Sequence, residues 1–190
     1  IAPIITSIQA GLPVVDGDSM GRAFPELPMS VYFFEGGLTV TPLAMVDAGG
    51  NGAVIPETKD ALWAERLART LATSMGATAG LAGSVATGAQ IKQYGIHYTL
   101  SLAHAIGQRV QQARAAGDDI PNVIAETLQG KVVLRGKIVD LNRRTTRGFA
   151  RGTLTISSFD GKDTLYIEFQ NEFLIVYHNN QVILTVPDLI

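Results

Sequence analysis

The chain has 190 residues, 46% hydrophobic and 17% charged, which is enough apolar content for a packed core and excludes a disordered chain. Its net charge of −2 divides unevenly, with 7 Lys/Arg against 11 Asp/Glu in residues 1–126 and 8 against 6 in residues 127–190, so neither part has the basic excess of a nucleic-acid binder. There is no Cys, which excludes disulfides and thiolate metal sites and suits a cytoplasmic protein, and no apolar run is long enough for a membrane span.

The charged fraction lies below the roughly 25% of an average soluble protein, which predicts that some surface is covered by a homo-oligomer partner or by a missing part of the same protein. The opening Ile1-Ala2-Pro3-Ile4-Ile5 is already apolar and reads as the inside of an element, so a longer protein with a missing N-terminal portion is expected.

Residues 3–10 read as the end of a helix stopped by Gly11, and Leu12 to Val15 as a short buried strand. Asp16-Gly17-Asp18 then falls at that strand's C-terminal end, the edge where open α/β sheets bind ligands. Val31 to Phe34 reads as a second strand, with Leu38 to Val46 returning beside it and Asp47 to Gly52 as a turn. From Thr58 the period becomes 3.6, with Trp63, Leu67, Leu71 and Met75 on one helical face and Glu65 four residues before Arg69. Residues 76–90 are nearly all small, a pattern that favours close backbone packing over a ligand cavity. A long helix follows, marked by Leu102, Ala103, Ile106, Val110 and Ala113 and capped near Thr99 or Ser101; a shorter one runs from Ile120 to Leu128.

After Gly130 the period drops to two. KVVLRGKIVDL, FARGTLTIS, DTLYIEFQ, FLIVYH and QVILTV predict five antiparallel strands, with Asp160-Gly161 and Asn179-Asn180 as hairpin turns. The expected architecture is α/β or α+β: a layered domain over residues 1–128, then a small antiparallel β-barrel or sandwich over residues 129–190.

The stretch PVVDGDSMGRAFPE holds the densest set of reactive groups. Asp16 and Asp18 together suit a divalent metal ion or a general base, and Arg22 suits an anionic substrate group or neutralisation of the carboxylates. The competing reading is an Asx-type turn around Gly17, with Glu26 a partner of the site or a solvated loop residue. His97, before a helix N-terminus, is a better ligand candidate than His104 on an apolar helix or His178, and no pair of histidines has metal-motif spacing. Arg143, Arg144, Arg147 and Arg151 crowd the loop NRRTTRG; a hairpin tip or an interface with an acidic domain explains them better than phosphate binding, since no aromatic residues are interleaved. Gln170-Asn171-Glu172 interrupts two apolar strands and either breaks the ladder or aims side chains into a cleft.

PVVDGDSMGRAFPE, WAERLAR, TLSLAHAIG, LRGKIVDLNRRTTRGFARGTLTI, IEFQNEFLIV and VPDLI, in this order, resemble the S-methyl thiohydantoin desulfurase family, found near hydantoinase or oxoprolinase genes. The resemblance spans the whole chain. Family members are longer at both ends and carry a Gly-rich N-terminal stretch. The resemblance implies an α/β domain followed by a β-barrel-like domain, and hydrolysis of an S-methyl thiohydantoin to a hydantoin with loss of methanethiol. For that reaction the candidate residues are Asp16, Asp18 and Arg22 as catalytic groups, Asp16 and Asp18 also as metal ligands, and Met20, Gly21, Glu26, His97, Asn171 and Glu172 around the substrate. A non-catalytic binding or assembly subunit of a hydantoinase-type enzyme is the alternative.

Overall fold

The computed structural model of the chain describes residues 2–186; Ile1 and Pro187–Ile190, which include most of the VPDLI stretch, lie outside the described residues. Contacts group the chain into two units, one of residues 1–21 and 88–132, the other of residues 22–87 and 133–190. Helices give way to strands between Thr127, where the last helix ends, and Gly136, so the first strand, expected from Lys131, begins five residues later.

The first unit is mostly helical. Helix α1 (Ala2–Ala10) ends at Gly11, whose φ of +66° is the left-handed stop expected there. The predicted strand over Leu12 to Val15 does not form. The chain has no regular structure there, and only β1 (Gly17–Asp18) pairs, antiparallel, with β5 (Ile96–His97). Helix α4 (Gly88–Tyr94) leads into β5; α5 (Thr99–Ala116) and α6 (Ile120–Thr127) follow and pack on each other. Of the stripe expected on α5, Ala113 is buried and Ile106 and Val110 are half-buried, whereas Leu102 and Ala103 are exposed.

In the second unit, Val31–Phe34 is not a strand but a single turn of helix, α2, because Ser30 Oγ accepts the Tyr32 amide as an N-cap and starts a helix instead. The predicted strand to Val46 is confined to β2 (Leu43–Val46), which pairs with β3 (Gly52–Ile55) and β4 (Gly80–Ala82) in a three-stranded antiparallel sheet. Residues 80–82 of the small-residue stretch are therefore backbone packed against backbone. Helix α3 (Ala61–Ser74) is started by Asp60, whose carboxylate accepts the Trp63 amide at 2.8 Å.

Helix α3 buries Ala64, Glu65 and Ala68, with Leu71, Ala72 and Met75 beside them, against Val40, Leu43, Met45 and Ile55. The expected face is half right: Leu71 and Met75 pack inward, but Trp63 and Leu67 remain exposed, because the alanines let the helix approach the sheet on a neighbouring stripe.

Five strands do follow: β6 (Gly136–Thr146), β7 (Phe149–Ser158), β8 (Thr164–Gln170), β9 (Glu172–His178) and β10 (Gln181–Thr185). They form an antiparallel meander in chain order, around a core of Leu154, Leu165, Ile167 and Val176. Among the described residues the five strands, expected as a small antiparallel β-barrel or sandwich, form one sheet with β6 and β10 at its edges. Asn179 and Asn180, with φ of 51° and 62°, make the two-residue turn their sequence predicts, and Arg147-Gly148, with φ of 53° and 79°, makes another. The strand pairs are all antiparallel, so the fold is α+β and the ligand-binding edge of a parallel sheet, invoked for Asp16 to Asp18, has no counterpart among the described residues.

Candidate functional site

The nine candidate residues fall into two groups. Asp16, Asp18, Met20, Gly21 and His97 lie in the first unit; Arg22, Glu26, Asn171 and Glu172 lie in the second.

In the first group the backbone takes up most of the polar capacity. Asp16 Oδ1 accepts the amides of Leu100 and Ser101 at 3.0 Å each, and Oδ2 accepts the Ser101 hydroxyl at 2.5 Å. Asp16 thus caps α5, whose own N-cap position, Tyr98, makes no side-chain cap bond; the cap expected from Thr99 or Ser101 is supplied from the other end of the unit. The Ser101 hydroxyl first, then its amide, hold the Asp16 carboxyl below its ordinary value of 3.8.

Asp18 Oδ1 accepts the Met20 amide at 2.6 Å and the Gly21 amide at 2.5 Å, an Asx-type turn. Met20 and Gly21 enter through their backbone. Gly17 sits where a Cβ would come within 2.8 Å of the Ile96 carbonyl, so the residue between the carboxylates is Gly because β1 and β5 meet closely. His97 Nε2 lies 3.3 Å from the Ile91 carbonyl, and its ring meets that of Tyr98 edge-on. Among the described residues no three His, Asp or Glu side chains are grouped to hold a metal ion.

In the second group, antiparallel register does the positioning. Arg144 faces Arg151, Arg151 faces Gln170 and Gln170 faces Glu172, so four polar residues form one row across β6 to β9. Directly opposed residues of a sheet share a face, so the row projects to one side. Gln170 Nε2 donates to Glu26 Oε1 at 2.7 Å, which brings Glu26 to the row. Glu172 Oε2 and Arg151 Nε are buried with no hydrogen-bond partner, as is Arg22 Nη1, whose guanidinium lies 5.6 Å from the Phe24 ring centre. Unsatisfied buried charge-bearing atoms are rare and costly, and three in one unit mark it as the better-equipped place for a polar ligand. Asn171 is different: with φ of 58° it makes the tight link between β8 and β9, and its Oδ1 accepts the Ala150 amide.

Beside the row, a cleft of about 560 Å³ is lined by α3 and the tip of the β6–β7 hairpin. Glu65, buried in its floor, receives Arg69 Nη2 at 2.7 Å and the Leu27 amide at 2.9 Å. Arg69 also donates to the Pro25 carbonyl and stacks 4.1 Å over Phe149. The Glu65–Arg69 pair is legible in the sequence at i, i+4 spacing, and the cleft is not. Its signal is the polar stripe Arg66, Arg69, Thr70 and Thr73 at helical spacing, opposite the alanine stripe.

Two family models match the chain in succession: the S-Me-THD-like, N-terminal domain over residues 1–57 and the S-Me-THD-like, C-terminal domain over residues 59–190. Among solved structures, the chain is similar to a crystal structure of a protein from Chromobacterium violaceum, with a TM-score of 0.68 at 23% identity. That likeness covers 95% of this chain and 49% of the other, so the chain spans about half the length of that protein, and at this identity it establishes the fold. No curated protein matches the chain. Matched from end to end by the two models, the chain belongs to the S-Me-THD-like family.

Proposed function

We propose that this chain contributes to a hydrolase that converts an S-methyl thiohydantoin, or a related cyclic substrate, to a hydantoin with release of a thiol. The observation that carries the reading is the row across β7 to β9, where the acceptor Glu172 Oε2 and the donor Arg151 Nε are buried without partners on either side of Gln170. A cyclic amide presents the complement: N–H groups for a carboxylate and C=O or charged ring nitrogen for a guanidinium.

The chemistry needs a water to add to the ring carbon that bears sulfur. The C–O bond forms as Glu172 takes the water's proton, and the C=N electron pair moves to the ring nitrogen, where the Arg151 N–H stabilises the charge. The hydroxyl proton then passes to the ring nitrogen as the carbonyl forms, the C–S bond breaks, and the thiolate leaves with the proton held by Glu172. Glu26, fixed by Gln170, orients the row. Asp16 and Asp18 shape the first unit rather than react, since the oxygens described above are occupied by backbone and hydroxyl donors.

The test is thiol release from an S-methyl thiohydantoin by the full-length protein, followed with a thiol reagent. Release that falls about 10²-fold or more in Glu172→Gln, with the fold intact, is the expected result. A folded protein that releases no thiol would overturn the reading.

A further inference from the structure

We infer that the cleft between α3 and the β6–β7 hairpin tip is a binding site for a small oxyanion carrying two negative charges. Arg151 and Glu26 also belong to the polar row, but Arg66 and Arg147, on which the test is made, stand outside it, so the inference does not rest on the desulfurase reading.

Four arginines line the cleft, Arg66, Arg69, Arg147 and Arg151, against two carboxylates, Glu26 and Glu65. Glu65 is saturated by Arg69 and the Leu27 amide, and that pair neutralises itself in the floor. Arg66, Arg147 and Arg151 are then opposed by Glu26 alone, and none of the ion pairs found among the described residues involves any of the three. Like charges gathered at one concave surface repel one another, and a bound anion is the simplest group that relieves them.

Three of the four guanidinium groups are also held against an aromatic ring before any ligand arrives. Arg66 lies 5.2 Å over the Trp63 ring, and Arg69 and Arg151 lie 4.1 Å and 5.5 Å from the Phe149 ring centre. Arg147 occupies the first position of a two-residue turn, and the second, Gly148, is pressed onto α3: a Cβ there would stand 2.7 Å from Arg69 Cδ. The hairpin tip is thereby fixed against the helix that carries Arg66. Stacked guanidinium groups keep their N–H edges free for oxygen, and their fork matches phosphate and carboxylate alike.

The hydroxyls of the cleft do not compete for the same role. Thr70, Thr73 and Ser74 donate to the carbonyls of Arg66, Arg69 and Thr70, which leaves the arginines as the donors available to an anion. A volume of about 560 Å³ suits a small molecule.

Calorimetric titration of the full chain with inorganic phosphate in one arm and succinate in the other, without any ring substrate, tests this and separates a tetrahedral from a planar oxyanion. Saturable binding of at least one of the two is expected, weakening as chloride is raised, and weakened about tenfold or more in Arg147→Gln and in Arg66→Gln. Both residues are exposed, so both variants should melt with the parent. Failure of both anions to bind, or binding that neither variant weakens, would overturn the inference. Because no turnover is measured, failure here is separate from failure of thiol release.

Discussion

Asp16 receives the hydroxyl of Ser101 at 2.5 Å across 85 positions of sequence, and the neighbouring amides of α5 with it. The loop that opens the first unit therefore serves as the cap of its longest helix. Asp16→Ala should lower the melting temperature by about 2–4 °C and speed amide exchange at Leu100 and Ser101, while Asp16→Asn, which keeps one acceptor oxygen, should do less. Activity lost in Asp16→Asn at an unchanged melting temperature would assign the residue to chemistry instead.

Among the described residues, carboxyls held below their ordinary value of 3.8 include Asp16, by Ser101, Asp47, chiefly by the Asn51 side chain, and Asp160, chiefly by the Ser158 hydroxyl. A depressed folded-state value means that the folded protein binds fewer protons than the unfolded chain near and below 3.8. Their stabilisation is thus complete above that pH and is lost as pH falls toward the folded values. Denaturant midpoints should stay level from neutral pH down to about 5 as far as these groups act, then decline. In Asp16→Asn the decline should be shallower.

Glu65 is the buried carboxylate on which α3 and the turn at Leu27 converge. Glu65→Ala strips Arg69 of its partner and leaves the Leu27 amide unsatisfied, and should destabilise the protein by about 2–4 kcal/mol in chemical denaturation. Glu65→Gln keeps an acceptor for Leu27 and should fall between the two.

Asp18→Asn separates the two carboxylate groups. An amide oxygen accepts the Met20 and Gly21 amides as a carboxylate oxygen does, so melting should be unchanged and thiol release close to that of the parent. Glu172→Gln should keep the melting temperature and lose about 10²-fold of the thiol release. The opposite pattern would move the base to Asp18.

Periodicity made the meander legible because its strands pair with their sequence neighbours, and turn chemistry located the Asn179-Asn180 hairpin. It failed at Val31 to Phe34, where β-rich side chains were overridden by one N-cap at Ser30. It failed again at Trp63 and Leu67, because a hydrophobic stripe does not reveal that two alanines beside it permit a closer approach. The carboxylates were visible as a cluster. Their partners were not, since Ser101 is remote from Asp16 in sequence and Gln170 is remote from Glu26. The polar row was invisible for the same reason, as it exists only once four strands are in register.

The division of the first unit into residues 1–21 and 88–132 has a consequence for the order of assembly. The meander β6–β10 closes only short loops, so it can form as soon as its strands are synthesised. The first unit must hold its opening segment unpaired while residues 22–87 emerge, and closes that loop only when β5 and the first turn of α5 exist to receive Gly17 and Asp16. During translation residues 2–21 thus wait for residues 96–101 before they find their place, a vectorial delay written into the chain by the segment of residues 22–87 between them.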